Sequence, residues 1–262
     1  MWPHPEPHEP DERRVTTPGA PHPVLPDYYR RAEERQAFVT ALFDSTATQY
    51  DRLCRLMSLG SGQRYRRWVL RRTGLRPGMK LLDIATGTGL VARAAMSVVR
   101  NSHAVIGIDP SRGMLRVART TLSSPLAQGC VEQLPFRADV FDVLTMGYAL
   151  RHAADLEIAF CECLRVMKPG GWLLILEISR PAAVWLRTVI RVYFTRLLPW
   201  LMRVGSSHGD SGVLTRYYWE TIENCVPPET ILEALRRSGF VDVRLNTFGG
   251  LLAEYVAVKP RR

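Results

Sequence analysis

The sequence lacks several features that would assign the chain to a common class. Its five cysteines are scattered and include no C-x-x-C pair, which argues against a disulfide framework and against a zinc site. No run of about 18 uncharged apolar residues occurs, so no segment is expected to span a membrane. The first residues are rich in proline and histidine and contain no apolar core of a secretory signal. We therefore expect a cytoplasmic protein with reduced thiols and no bound metal.

Lysine is also scarce. Only Lys80, Lys168 and Lys259 contribute to the 35 basic side chains, which outnumber 25 acidic ones and give a net charge of +10. No basic stripe alternates with stacking aromatic residues, so we expect no nucleic-acid partner. The excess of arginine leaves two explanations open. It is either a compositional bias with solvated side chains or an attraction to an anionic membrane or an acidic partner.

A glycine-rich turn organises the rest of the chain. Residues 80–90 predict a buried strand, a turn containing Gly87 and Gly89, and a helix whose free N–H groups point at a ligand. Asp83 brings a carboxylate close to the same place. Asp109 ends the next strand, where a carboxylate can hold the two hydroxyls of a ribose. This arrangement serves NAD and S-adenosylmethionine equally, so the turn alone leaves both cofactors open.

The chain divides into a tail, a helical cap and a main domain. Residues 1–26 contain few core-forming side chains and predict a disordered tail. Residues 27–74 predict three helices, with an interruption at 43–51 and arginines on the outer face of the third helix; they form an N-terminal helical cap over the pocket. Residues 75–262 alternate strands and helices, which predicts a parallel sheet covered on both faces.

An apolar stretch punctuated by arginines interrupts this alternation. Residues 183–204 predict a very apolar helix, and residues 205–226 are polar and predicted to be irregular. We expect the whole region, about 183–226, to be a lid-like insertion. For 183–204 three interpretations stay open, namely a helix packed in the core, a lid over a lipophilic substrate, or peripheral contact with a membrane interface.

The pattern at the end of the chain distinguishes between the two candidate cofactors. Strands predicted at 241–248 and 251–258 are joined by Gly249-Gly250 and form a hairpin, so the sheet ends with an antiparallel strand. This differs from the dinucleotide-binding order and resembles the class I methyltransferase fold. We expect an α/β fold with a seven-stranded, Rossmann-like sheet, its last strand antiparallel and helices on both faces. The cofactor expected with this fold is S-adenosylmethionine.

Short motifs narrow the resemblance. The chain contains Phe43-Asp-x-x-Ala-x-x-Tyr-Asp51, Gln133-Leu-Pro-Phe136, Tyr148-Ala-Leu-Arg-His152, Arg165-Val-Met-Lys-Pro-Gly-Gly171 and Glu177-Ile-Ser-Arg-Pro181. Together they resemble the UbiE/MenG family of quinone-ring C-methyltransferases, from residue 43 to about 259. The resemblance implies an S-adenosylmethionine-dependent methyltransferase that acts on a lipophilic small molecule. A ring carbon of a quinol-like or polyketide-like phenol is the expected acceptor.

The strand ends and the resemblance together define the candidate site. The residues expected to bind the cofactor are Asp83, Ala85, Gly87, Thr88, Gly89, Asp109, Pro110, Met114, Cys130, Val131, Glu132, Gly147 and Tyr148. The chain departs from the family pattern at Cys130, Val131, Gly147 and His152. These departures leave open a natural-product or phospholipid O- or N-methyltransferase and a non-catalytic binding protein with the same fold. A homodimer also stays open.

The catalytic candidates are Tyr50, Arg151 and His152. An aromatic carbon accepts a methyl group well only when an adjacent hydroxyl has lost its proton. Arginine stays protonated, so Arg151 could hold the phenolate, whereas His152 titrates near neutrality and is chemically the better base. If both residues are extended, their side chains face opposite sides, and we expect Arg151 to enter the pocket. The resemblance assigns such roles to the arginine and to Tyr50.

Overall fold

Seven strands form one sheet in the part of the chain that the computed structural model describes, residues 19–203 and 211–261. The strands are β1 (Leu81–Ile84), β2 (Val105–Asp109), β3 (Leu126–Gln128), β4 (Phe141–Gly147), β5 (Met167–Ile178), β6 (Val241–Phe248) and β7 (Leu252–Val258). Their order across the sheet is β3-β2-β1-β4-β5-β7-β6, and β7 runs antiparallel between β5 and β6. The predicted fold class is confirmed, including the hairpin at the end of the chain.

Helices cover both faces of this sheet. They are α1 (Glu34–Met57), α2 (Gly62–Arg72), α3 (Leu90–Val99), α4 (Arg112–Thr121), α5 (Leu156–Val166), α6 (Val184–Val192), α7 (Leu198–Arg203), α8 (Ser211–Glu223) and α9 (Pro228–Arg237). In β1, Leu81 packs with Val69 of α2 and Ala95 of α3, whereas Leu82 packs on the opposite face with Phe160 of α5. The apolar run in β1 therefore follows from burial on both sides.

The first helix is continuous, so the predicted interruption at 43–51 is wrong. Val39, Leu42 and Leu53 recur on one buried face, and that face packs against α7 and α8. The hydroxyl of Thr46 donates to the carbonyl oxygen of Leu42 at 2.6 Å, within the helix itself. Burial of the apolar face thus overrides the weak helix propensity of the serine, threonine and aspartate residues in this stretch.

The predicted tail ends earlier than residue 26. Residues 1–18 lie outside the described residues, but 19–26 are packed, and His22 is only 1% exposed. The carbonyl oxygen of Gly19 accepts from the N–H of Leu156 at 2.7 Å, and that of Pro21 accepts from Val226 at 2.8 Å. The prediction is wrong for 19–26 because main-chain hydrogen bonds, which composition does not reveal, hold this segment.

The stretch after β5 is helical. A π-helical turn, Tyr193–Leu197, joins α6 to α7. The prediction of irregular structure at 205–226 is wrong for 211–223, which form α8; residues 204–210 lie outside the described residues. In α8 the apolar residues Leu214, Tyr217, Tyr218 and Ile222 are buried at helical spacing between its polar side chains. Of the helices in the described ranges, none is long and apolar enough to cross a bilayer.

Candidate active site

The turn after β1 is built from residues in the left-handed region. Ala85 has φ of 51°, Gly87 of 57° and Gly89 of 86°. The left-handed conformation favours glycine at Gly89, and a Cβ there would also lie 2.3 Å from Cδ1 of Leu122 and displace that side chain. A Cβ at Gly87 would meet only Cε1 of Tyr50, at 4.0 Å. The inner side of the turn at Gly87 therefore faces open space.

Asp83 supports this turn from beneath. Its carboxylate accepts hydrogen bonds from the hydroxyls of Thr86 and Thr145, both at 2.7 Å, and from the N–H of Ala92 at 3.1 Å. Burial raises its pKa to about 6, and these hydrogen bonds oppose the rise. Asp83 lines neither of the two cavities described below. Its contact with the cofactor stays a prediction, and its hydrogen bonds position the turn.

Asp109 does face a cavity. One carboxylate oxygen accepts from the N–H of Gly87 at 2.7 Å, and the other accepts from the N–H of Ser111 at 2.8 Å. Burial raises the pKa of Asp109 to about 6, against the effect of these two hydrogen bonds. The carboxylate is therefore fixed at the end of β2, as the sequence predicts, and each oxygen keeps a lone pair for a ligand.

Two carboxylates of α1 bind the turns from above. Asp44 accepts from the hydroxyl of Ser111 and from the N–H of Gly113, both at 2.6 Å. Asp51 accepts from the hydroxyl of Thr88. Thr88 is thus directed at α1, and neither it nor Gly89 lines the two cavities described below, so their contact with the cofactor stays a prediction. These contacts attach the helical cap to the sheet.

A first cavity of about 800 Å³, partly open to solvent, lies between α1 and the ends of the strands. Of the predicted residues, its wall contains Tyr50, Ala85, Gly87, Asp109, Pro110, Met114, Cys130, Val131, Glu132, Gly147, Tyr148 and His152. It also contains Gln36, Thr40 and Phe43, which are not among the site residues predicted from the sequence. A continuous helix was the missing signal, since positions 36, 40, 43 and 50 then share one face.

A second cavity of about 960 Å³ adjoins the first. Its wall consists of Tyr50, Cys54, Met57, Ser58, Leu59, Ser61, Gly62, Tyr65, Arg66, Tyr148, Ile178, Phe194, Tyr218, Leu251 and Leu252. Tyr50 and Tyr148 belong to both cavities, so these two side chains stand at the junction. Apart from these two, none of the residues in this wall is predicted from the sequence to belong to the site.

Arg151 lines neither cavity. Residues Leu150–His152 form a turn of 3₁₀ helix, not the extended segment on which the prediction depended. The Arg151 guanidinium forms a buried ion pair with Glu177 at 2.6 Å and donates to the hydroxyl of Thr221 at 3.2 Å. Its carbon lies 4.5 Å from the ring centre of Tyr218. Arg151 is therefore turned away from the cavities and supports the wall of the second one.

His152, in contrast, reaches the first cavity. Its ring stacks on Tyr217 at 5.6 Å and meets Phe43 edge to face at 5.3 Å. Neither ring nitrogen has a hydrogen-bond partner among the described residues. Burial, with a further contribution from Arg151, lowers the pKa of His152 well below its usual value. At neutral pH this imidazole is uncharged.

A pair of tyrosines connects the junction to the buried arginine. The hydroxyl oxygens of Tyr50 and Tyr218 are 2.7 Å apart. Burial raises the pKa of Tyr50 well above its usual value, and burial raises that of Tyr218 to about 12 despite the nearby Arg151. Both phenols are therefore protonated at neutral pH, so one of the two retains a proton to donate into a cavity.

Solved structures share this fold. One is a SAM-dependent methyltransferase of Thermotoga maritima, with a TM-score of 0.57 and 18% identity over 84% of this chain and 99% of that one. Another is the [4+2]-cyclase SpnF, with a TM-score of 0.58 and 20% identity over 87% of this chain and 97% of that one. At such identities the likeness shows the fold alone, which is the class I methyltransferase architecture.

Sequence relatives identify the family. The ubiE/COQ5 methyltransferase family matches residues 30–259. A demethylmenaquinone methyltransferase of Streptomyces avermitilis is 37% identical over 82% of this chain and 91% of its own length. A ubiquinone/menaquinone biosynthesis C-methyltransferase UbiE of Legionella pneumophila is 34% identical over 86% and 92%. The chain belongs to the ubiE/COQ5 methyltransferase family, which confirms the predicted resemblance and the predicted S-adenosylmethionine-dependent methyl transfer.

Proposed function

We propose that the chain methylates a ring carbon of a lipophilic, quinol-like phenol, with S-adenosylmethionine in the first cavity and the acceptor in the second. The observation that carries this proposal is the junction at Tyr50 and Tyr148, which both cavities share. A transfer between two bound molecules requires their reacting atoms to meet while water is kept out. Two adjoining cavities behind one helical cap meet that requirement.

The residues of the first cavity fit the donor. Asp109 would hold the ribose hydroxyls with its free lone pairs, and Gly87 leaves bare backbone beside it. Met114 and Val131 are buried apolar side chains in the same wall, suited to the face of an adenine. When bound, S-adenosylmethionine supplies a methyl group activated by a positively charged sulfur. The chain itself supplies alignment and a closed, mainly apolar site.

The walls of the second cavity fit a lipophilic acceptor. Ile178, Phe194, Leu251 and Leu252 provide much of its surface. Ile178 and Leu252 are paired across β5 and β7, so this part of the wall rests on the sheet. The names of the relatives, which refer to demethylmenaquinone and ubiquinone or menaquinone biosynthesis, support a quinone precursor as the acceptor.

The three catalytic candidates have different positions in this scheme. Tyr50 lies at the junction, where its hydroxyl can donate a hydrogen bond to an acceptor oxygen. His152 lies on the first cavity and is uncharged, which suits contact with the donor. Arg151 is a positioning residue, because it holds the ring of Tyr218 and leaves the reacting atoms to others.

The test is a transfer assay that separates the two cavities. We expect isothermal titration to show S-adenosylmethionine binding, and methyl-labelled donor to label a ring carbon of a demethylated menaquinol, as seen by NMR. Ser61 lies on the second cavity alone, so Ser61→Trp should slow transfer and leave donor affinity unchanged. Ser97→Trp, at an exposed position of α3, is the matched control. Label on oxygen or nitrogen would favour the natural-product or phospholipid alternatives, and absence of donor binding would refute the proposal.

The lid-like region, about 183–226, also supports peripheral membrane contact. Ile190, Phe194 and Leu198 are buried, whereas Trp185 is 70% and Trp200 is 60% exposed. Arginines accompany the exposed apolar side chains, including Arg191 and Arg196, which are themselves exposed. Such a face suits an anionic bilayer, from which a lipophilic acceptor would be taken. Co-sedimentation with phosphatidylglycerol vesicles should fall in a Trp185→Ser variant. A dimer in light scattering that this variant abolishes would instead assign the face to a second copy.

A further inference from the structure

One buried cation in the wall of the second cavity has no hydrogen-bond or ion-pair partner among the described residues. Arg66 projects from α2 and is only 6% exposed, whereas the sequence predicts the arginines of this helix on its outer face. Among the described residues its guanidinium makes no hydrogen bond and no ion pair, and its Nε is buried without a partner. A Cβ at Gly62 would lie 2.6 Å from Nη1 of Arg66, so glycine leaves room for the guanidinium in the wall.

The other buried arginines, Arg35 and Arg151, each make direct polar contacts among the described residues, although Nε of Arg35 and Nη2 of Arg151 are also buried without a partner. Arg151 is paired with Glu177 at 2.6 Å. Arg35 donates to the carbonyl oxygens of His22 at 2.8 Å and Ala153 at 3.3 Å. Buried charges in proteins are almost always paired or hydrogen-bonded, because burial without a partner is costly. Arg66 departs from this rule where the protein surface opens into a cavity, which indicates that a ligand supplies its partner.

Among the described residues, no acid lies close enough to Arg66 to form an ion pair with it. Burial raises the pKa of Cys54 to about 11 and that of Tyr148 to about 12, although Arg66 lowers both. Burial also raises the pKa of Tyr65, whose hydroxyl donates to a carboxylate oxygen of Glu254 at 2.8 Å. Glu254 in turn is paired with Arg72. Arg66 also lowers the pKa of Asp83, but the carboxylate oxygens of Asp83 accept three hydrogen bonds below the turn.

We propose that Arg66 binds an anionic oxygen of the acceptor, the phenolate next to the carbon that receives the methyl group. This inference rests on the proposed function and names the group that stabilises the ionised acceptor. The acceptor hydroxyl releases its proton to solvent, and the guanidinium holds the resulting oxygen anion in an apolar, poorly hydrated site. The ring of Tyr148, 5.3 Å from the guanidinium carbon, places this cation beside the junction of the two cavities. Accordingly, the acceptor class is a phenol that ionises, not a neutral ketone or amine.

The test measures the ionisation of a bound phenol without any methyl transfer. 4-Nitrophenol changes its absorbance when it ionises, so its apparent pKa can be titrated in the presence of the full chain. We expect binding to lower that pKa by about one unit, which is a tenfold preference for the phenolate over the phenol. Arg66→Met should abolish the shift, and Arg66→Lys should retain part of it. Arg67→Met removes an exposed charge from the same helix and should leave the shift intact.

The outcomes distinguish this inference from the proposed function. A wild-type protein that binds S-adenosylmethionine and methylates a phenol, yet does not bind nitrophenolate or does not lower its pKa, overturns the role of Arg66 alone. An equal shift in wild type and Arg66→Met overturns it as well. A protein that fails to bind S-adenosylmethionine overturns the proposed function, whatever the phenol does. Thermal unfolding of each variant verifies that the fold is retained.

Discussion

The two cavities are built in different ways. The first is lined largely by the turns that follow β1, β2, β3 and β4. Two of its groups, the N–H of Gly87 and the carboxylate of Asp109, are joined directly by a hydrogen bond. The second is lined by the end of α1, by α2, by the π-helical turn and by the final hairpin, which are far apart in the chain. The strand-end turns thus place the groups proposed to bind the donor by local geometry, whereas the wall proposed for the acceptor depends on long-range packing.

The largest expected effect concerns the support behind the second cavity. Glu177→Gln removes the charge that neutralises buried Arg151, and loss of one partner of such a pair typically costs about 3–5 kcal/mol of the free energy of unfolding. Urea denaturation measures this change. Arg66→Met should not lower the free energy of unfolding in the same way, because its removal leaves no buried acid without its partner among the described residues. Glu33→Gln, at an exposed position, is the control; equal stability of Glu177→Gln and wild type would contradict the ion pair's role.

The next largest effect is expected on donor binding in the first cavity. Asp109→Ala removes the carboxylate proposed to bind the ribose, and the acceptor of the Gly87 N–H. Loss of two charge-assisted hydrogen bonds to the ligand, about 1.5 kcal/mol each, predicts a roughly 100-fold weaker donor affinity in isothermal titration. The nitrophenol titration of the second cavity should be unchanged. Asp242→Asn, at an exposed position of β6, should alter neither.

The sequence could predict the first cavity because its chemistry is local. The turn at Gly87, the carboxylate of Asp109 and the alternation of strands and helices each follow from a short stretch of residues. The limits are also physical. With an interruption predicted in α1, the sequence did not indicate that Gln36 and Tyr50 share one face of this helix. The sequence also did not distinguish the arginines of α2, although only Arg66 among Arg64, Arg66 and Arg67 is buried. Long-range packing decides such cases, and a single sequence contains little signal for it.

Lowering the pH should weaken donor binding in the first cavity before it affects the second cavity. The pKa of Asp109 is raised to about 6, so this carboxyl is charged above that pH and becomes protonated below it. A protonated carboxyl accepts fewer hydrogen bonds, so donor affinity should fall about tenfold between pH 7 and pH 5. Burial lowers the pKa of His22 to about 4, so this side chain stays uncharged over most of this interval, and burial also lowers the pKa of His152 well below its usual value. Asp83 shares the raised pKa and supports the same turn, so a variant with Asp109→Asn should lose most of the pH dependence but not all of it.

The smallest effect tests the junction itself. Tyr50→Phe removes one hydroxyl that lies 2.7 Å from that of Tyr218 and keeps the ring that both cavities share. A neutral hydrogen bond contributes about 1 kcal/mol, so the rate of methyl transfer should fall about fivefold while donor affinity stays the same. Tyr193→Phe, whose hydroxyl donates to the carbonyl oxygen of Leu56 outside both cavity walls, is the matched control. A weaker donor affinity in Tyr50→Phe, without a change in transfer once the donor is saturating, would place this hydroxyl in the first cavity alone and break the proposed division between the two.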